Sequence, residues 1–85
     1  MKYVALIRKD ANTDYWIDIP DLPGCVSAGE TEEKAKDNFK EALELHLEAM
    51  REEGLELPPS RARDEVLSSE EDAYISDYLV EIDPF

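Results

Sequence analysis

Residues 20–25 read Pro-Asp-Leu-Pro-Gly-Cys, and residues 29–31 read Gly-Glu-Thr before a long amphipathic run. Two prolines and a glycine within five residues punctuate the chain, yet apolar alternating segments flank them. Proline cannot donate to a strand ladder, and glycine accepts backbone angles that other residues avoid. The stretch therefore reads as a shaped corner between two strands, and the rest of the fold is worked out from it.

Upstream, residues 2–8 (Lys-Tyr-Val-Ala-Leu-Ile-Arg) are β-branched and aromatic enough for a strand buried on most of both faces. After the polar turn at residues 10–14, residues 15–19 place Tyr15, Ile17 and Ile19 on one face and Trp16 and Asp18 on the other. These two strands are expected to form a hairpin. Downstream of the corner, residues 25–28 form a short third strand. Thr31 then reads as a helix N-cap, with Glu32 and Glu33 in the first turn where the helix dipole favours anions. Lys34 stands where a full capping box needs Glu. Ala35, Phe39, Ala42, Leu43, His46, Ala49 and Met50 recur as one helical stripe, and Gly54 with Pro58-Pro59 stops the helix. Residues 60–77 carry no decisive pattern: residues 60–63 are loop-like and locally basic, and Ser69, followed by Glu70, Glu71 and Asp72, is a candidate cap for a short helical turn. Residues 78–82 are the last strand. The fold class that follows is α+β, a three-stranded antiparallel sheet, one long helix and a final strand in the order β-β-β-α-β.

Eighty-five residues suit a single domain, 1–85. The formal net charge of −13 is unevenly spread. Residues 64–85 hold eight acidic residues and no basic one, whereas residues 1–29 are near balance with four acidic against three basic. Such a field repels phosphate backbones and anionic membranes and speeds encounter with a basic partner. The lone Cys25 permits no intrachain disulfide, which points to a reducing compartment and a cytoplasmic protein. The apolar run at residues 3–7 is too short for a signal peptide or a membrane span.

The path from Tyr15 to Pro59 resembles the HicB-like antitoxin family, the small α+β domain of the UPF0150 type. The carrying residues are Tyr15-Trp16-Ile17-Asp18-Ile19, the corner Pro20 to Cys25, Gly29-Glu30-Thr31, Glu33, Ala35, Ala42, Gly54 and Leu57-Pro58; Lys2 to Ile7 fits as the first strand. The resemblance implies a partial ribonuclease-H-like fold without that enzyme's activity. It also implies a partner: a small, basic HicA-type toxin that degrades messenger RNA and whose catalytic surface the antitoxin covers. Many members carry a further DNA-binding segment. Here the residues after Pro59 are strongly acidic, so no separate C-terminal DNA-binding domain is expected, and direct DNA binding is disfavoured.

Chemistry-bearing residues are sparse. His46, the single histidine, lies in the apolar helix stripe and reads as structural rather than as a general base. Cys25 has no paired base and reads as a small buried residue. Asp10, Asn12 and Asp14 alternate as in a calcium loop, but the downstream glycine and bidentate glutamate are missing. Asp18 and Asp21 are near neighbours, with no third or fourth acid to complete a two-metal nuclease. No catalytic residue, metal ligand or cofactor site is assigned. The expected partner interface is Trp16, Asp21, Leu22 and Pro23 with the helix acids Glu41, Glu44 and Glu48. Glu70, Glu71 and Asp72 are expected to help steer the encounter. Two functions follow: a non-enzymatic protein that binds and neutralises a small basic ribonuclease toxin, or a stand-alone homo-oligomeric (dimeric or tetrameric) interaction module.

Overall fold

Lys2–Arg8 forms β1, and every residue from Tyr3 to Arg8 is buried. Side chains alternate across a strand, so this burial demands cover on both faces of the sheet. The computed structural model describes all 85 residues, Met1–Phe85. It adds β2 (Tyr15–Asp18), β3 (Val26–Gly29), α1 (Glu32–Glu52), α2 (Arg63–Ser69) and β4 (Ser76–Glu81). The strands make one antiparallel sheet in the order β3-β2-β1-β4. The α+β expectation holds, with two differences. The final strand completes the same sheet by pairing along β1, from Lys2 opposite Glu81 to Ile7 opposite Ser76. A second helix also occupies Arg63–Ser69, in the stretch where the sequence carries no decisive pattern, and Ser69 ends it instead of capping a turn.

The cover is unequal. On one face, Tyr3, Ala5 and Ile7 of β1 join Ile17, Ile19, Leu22 and Cys25 beneath Ala35, Phe39 and Leu43 of α1. On the other, Val4 and Leu6 meet Val66 of α2, with Leu67 and Tyr74 at the margin. A helix of seven residues has no independent stability, and Ala62 gives α2 no side-chain cap. Burial of Val66 on β1 is what makes it form.

Local signals fix the ends of α1. Thr31 accepts a hydrogen bond from the Lys34 amide at 3.1 Å, satisfying one of the free N–H groups of the first turn. At the other end, Gly54 takes φ +71°. The amides of Gly54 and Leu55 donate to the carbonyls of Arg51 and Met50, closing a Schellman motif. Gly29 has a different job. A Cβ there would lie 2.5 Å from the Ala35 nitrogen, so its missing side chain lets α1 descend onto β3. The Asn38 side-chain amide donates to the Ala28 carbonyl at 2.8 Å across the same contact.

Three arginines tie the segment after α1 to the sheet. Arg61 donates from its side chain and its amide to Asp21, both at 2.8 Å. Arg63 reaches Asp77 through two bonds of 2.6 and 3.0 Å. Arg8 is buried between Asp18 (2.7 Å) and Glu70 (3.0 Å) and also donates to the carbonyls of Asp72 and Ala73. The Tyr3 hydroxyl donates to the Pro58 carbonyl, pinning the chain where it crosses from one layer to the other.

Two predictions follow from this frame. Gly29→Ala forces backbone apart at the α1–β3 contact and should lower stability by about 1–3 kcal/mol, read as a drop in thermal midpoint of about 10 °C. The second concerns Asp77, whose carboxyl is held below its ordinary value of 3.8 by the Arg63 hydrogen bonds. Because the folded value is the lower one, the pair stabilises fully above the ordinary carboxylate range and loses its contribution as pH falls through the depressed value. A side-chain carboxyl NMR titration should place the Asp77 midpoint below 3.8, and Arg63→Gln should return it there.

Candidate protein-docking face

The strand alternation that sends Ile17 into the α1 core sends Trp16 and Asp18 to the opposite face. There the register lines up two rows across the sheet: Leu6, Asp18 and Val26, then Arg8, Trp16 and Ala28. α2 packs on β1 and leaves the β2–β3 end of this face uncovered. The result is a concavity of about 500 Å³ lined by Arg8, Asp10, Trp16, Asp18, Val26, Asp72 and Ala73. Trp16 is half-buried, and Val26 keeps 61% of its surface exposed. The floor is therefore apolar and aromatic.

Its rim is acidic. The guanidinium of Arg8 is the one cation lining it, and that charge is already engaged by Asp18 and Glu70. The Asp18 hydrogen bond, opposed by burial, raises the Arg8 pKa further, so the guanidinium stays charged and the network stays in place. Asp10 and Asp72 are exposed around it and make no salt bridge. An aromatic platform ringed by uncompensated carboxylates suits a partner that presents basic and apolar side chains.

The other expected interface residues are dispersed. Leu22 is 1% exposed and belongs to the core, so it does not project from the corner as expected. The proline-glycine corner turns its leucine inward, under α1, because the adjoining strands need an apolar plug there. Asp21 is committed to Arg61, while Pro23 is exposed. Glu41, Glu44 and Glu48 are exposed on α1, which covers the face opposite Trp16. No single flat partner surface can span both groups. Glu70, one of the expected steering acids, is largely withdrawn by Arg8. The reading of the sequence missed Arg8; the signal was a basic residue closing an apolar strand, ten positions before an acid in the paired strand.

The chemistry-bearing residues do not converge. Burial pushes the Cys25 thiol pKa up, away from a reactive thiolate. Its nearest apolar neighbours are the core. His46 is half-buried and packs against the corner, its Cε1 lying 3.4 Å from where a Cβ on Gly24 would stand. Asp18 and Asp21 each hold a different arginine. No group of three or more His, Cys, Asp or Glu side chains is gathered where an ion could sit. No helix is long and apolar enough to cross a membrane.

Residues 3–85 match the family model described as the HicB-like antitoxin of bacterial toxin–antitoxin systems. An uncharacterized 14.9 kDa protein of Haemophilus phage HP1, from its rep-hol intergenic region, is 38% identical over 82 residues, 96% of this chain; the chain spans 59% of that relative's length. Among solved structures, the N-terminal domain of the Burkholderia pseudomallei antitoxin HicB superposes with a TM-score of 0.75 at 28% identity, covering 98% of this chain and 99% of that one. A chain of the HicA3 and HicB3 toxin–antitoxin complex matches with a TM-score of 0.66 at 34% identity, covering 99% of this chain and all of that one. With the corner, the capped helix and the sheet order all in place, this chain belongs to the HicB-like antitoxin family.

Proposed function

We propose that this chain neutralises a small, basic ribonuclease toxin of the HicA kind by occupying its positively charged surface, and that it carries out no chemistry itself. The observation that carries this reading is the docking face, where Trp16 and Val26 form an apolar floor inside a rim of Asp10, Asp18 and Asp72. A ribonuclease must present cations to bind a phosphate backbone, so a carboxylate-rimmed surface competes with RNA for the same charges. Family membership and the likeness to a chain of a HicA3–HicB3 complex support the same conclusion. The acids of α1 and the rest of the acidic surface act at longer range, raising the encounter rate without entering the contact. The lone thiol, Cys25, is buried and free, consistent with work in the reducing cytoplasm.

A second reading, a homo-oligomeric interaction module with no toxin, is favoured by one separate observation. β4 is an edge strand that pairs only with β1. Unpaired edges recruit other strands.

Calorimetric titration against a basic HicA-type toxin, with the toxin's RNA cleavage followed in parallel, tests the first reading. Wild-type protein should bind and suppress cleavage. Trp16→Ala should weaken binding by at least about 2 kcal/mol, roughly 30-fold in Kd, with its thermal midpoint little changed. Affinity should fall as salt rises, because exposed charges are screened. Full affinity in both Trp16→Ala and Asp72→Lys would move the contact elsewhere, and absence of binding to any such toxin would remove the proposal.

A further inference from the structure

The edge strand β4 carries a surface unlike the rest of the molecule. Met1 and Ile82 exchange both backbone hydrogen bonds, at 2.9 and 2.8 Å, which sets the alternation along the β1–β4 pair. Val80 and Tyr78 therefore turn their peptide groups toward β1, and Asp77, Leu79 and Glu81 turn theirs to the open edge. Above this edge, α1 lies over β3 and β2 and leaves a groove against β4. Phe39, Leu43 and Leu47 form one wall of it, and Tyr78, Val80 and Ile82 the other. Lys36 stands 4.9 Å from the Tyr78 ring centroid, capping the aromatic face with a cation. Leu79, on the other side of the strand, is 52% exposed.

Charge decides what fits here. The groove is bordered by Lys36 and Lys40 against Asp37 and Glu44. On the other face of the same edge, Arg63 bonds Asp77, and Glu81 takes the Met1 ammonium at 3.4 Å. Counting the Met1 ammonium, four cations face four carboxylates, so this strip is close to neutral on a chain of net charge −13. A strongly basic partner would gain little here, and two copies of this acidic chain can approach here at the lowest electrostatic cost.

We infer that β4 is a self-association edge, pairing antiparallel with β4 of a second copy about a two-fold axis at Leu79. This names the interface of the homo-oligomeric reading given above and rests on it, while leaving the Trp16 face free for a toxin. In that register the outward peptide groups of Asp77, Leu79 and Glu81 meet those of Glu81, Leu79 and Asp77 in the second copy. Tyr78 lies opposite Val80, an aromatic on a β-branched side chain, which is a favourable cross-strand pair. Asp77 falls opposite the second copy's Glu81, a clash of like charges if bare. Arg63, already bonded to Asp77 at 2.6 Å and half-exposed, bridges the two carboxylates. Joined this way, the two sheets become one continuous sheet, and the two α1 helices share a single face of it.

Light scattering on the eluting, toxin-free protein tests this. The expected mass is twice 9.7 kDa. Leu79→Pro removes an N–H that points to the open edge and spares the ladder to β1, so the mass should halve while the circular dichroism spectrum is kept. In case that proline disturbs the strand, Leu79→Cys provides a second route. Opposed residues of such a pair lie about 5.5 Å apart, within disulfide range, so mild oxidation should link two chains. Leu45→Cys, on α1 and more exposed (63%) than Leu79, should not link. A monomeric wild type at high micromolar concentration overturns the inference. So does a dimer that survives Leu79→Pro in folded protein, or equal cross-linking at positions 79 and 45. Trp16→Ala should leave the mass unchanged, so failure of the toxin reading and failure of this one are read separately.

Discussion

A central strand that is apolar on both faces is the constraint from which this architecture follows. β1 buries everything from Tyr3 to Arg8, and no single helix can cover two sides of a sheet. α1 takes one side and places Phe39 and Leu43 over Ile7 and Ile17. The chain must then cross the end of the sheet to cover the other. The Pro58 carbonyl, held by Tyr3, and the Arg61–Asp21 bond mark that crossing. Val66 completes the cover with little area, so the second layer leans on charge as well as burial. Each of the three arginines bonds a carboxylate that is itself largely withdrawn from water, where such pairs are screened less than at an open surface. Loss of one partner there would leave a charge without compensation.

Both helices are offset from the sheet they cover, and the two offsets create the two surfaces that matter. α1 lies toward β3 and exposes a groove along β4; α2 lies on β1 and exposes the β2–β3 face. The uncovered areas differ in charge, and so in the partner each suits. The face around Trp16 concentrates carboxylates about an arginine whose charge is already spent. The β4 strip is nearly balanced because Lys36, Lys40 and Arg63 fall beside it. A protein of net charge −13 thereby keeps two open surfaces of unlike charge, one acidic and one close to neutral.

Much of this was legible in the residues. The periodicities of residues 2–8, 15–19 and 31–54 set β1, β2 and α1, and Thr31 and Gly54 fixed the helix ends through caps that act within a few residues. The corner at residues 20–25 announced a turn between strands. Other features were hidden. α2 has no cap and only two apolar residues that need cover, so nothing local distinguishes it from loop. Leu22 looked like a projecting residue because a Pro-Asp-Leu-Pro-Gly string is polar turn material on paper; the direction of its side chain depends on the helix packed above it. Asp21 and Glu70 read as free acids because their arginines lie forty and sixty-two positions away.

What the sequence by itself determined is therefore the set of elements, their capped ends and the acidic character of the surface, since these rest on side-chain period, backbone restriction and composition. Only the tertiary structure decided which carboxylates are consumed by arginines, which faces stay open and where β4 lies. Those outcomes depend on residues far apart in the chain being brought within hydrogen-bonding distance, and a local pattern carries no record of that distance.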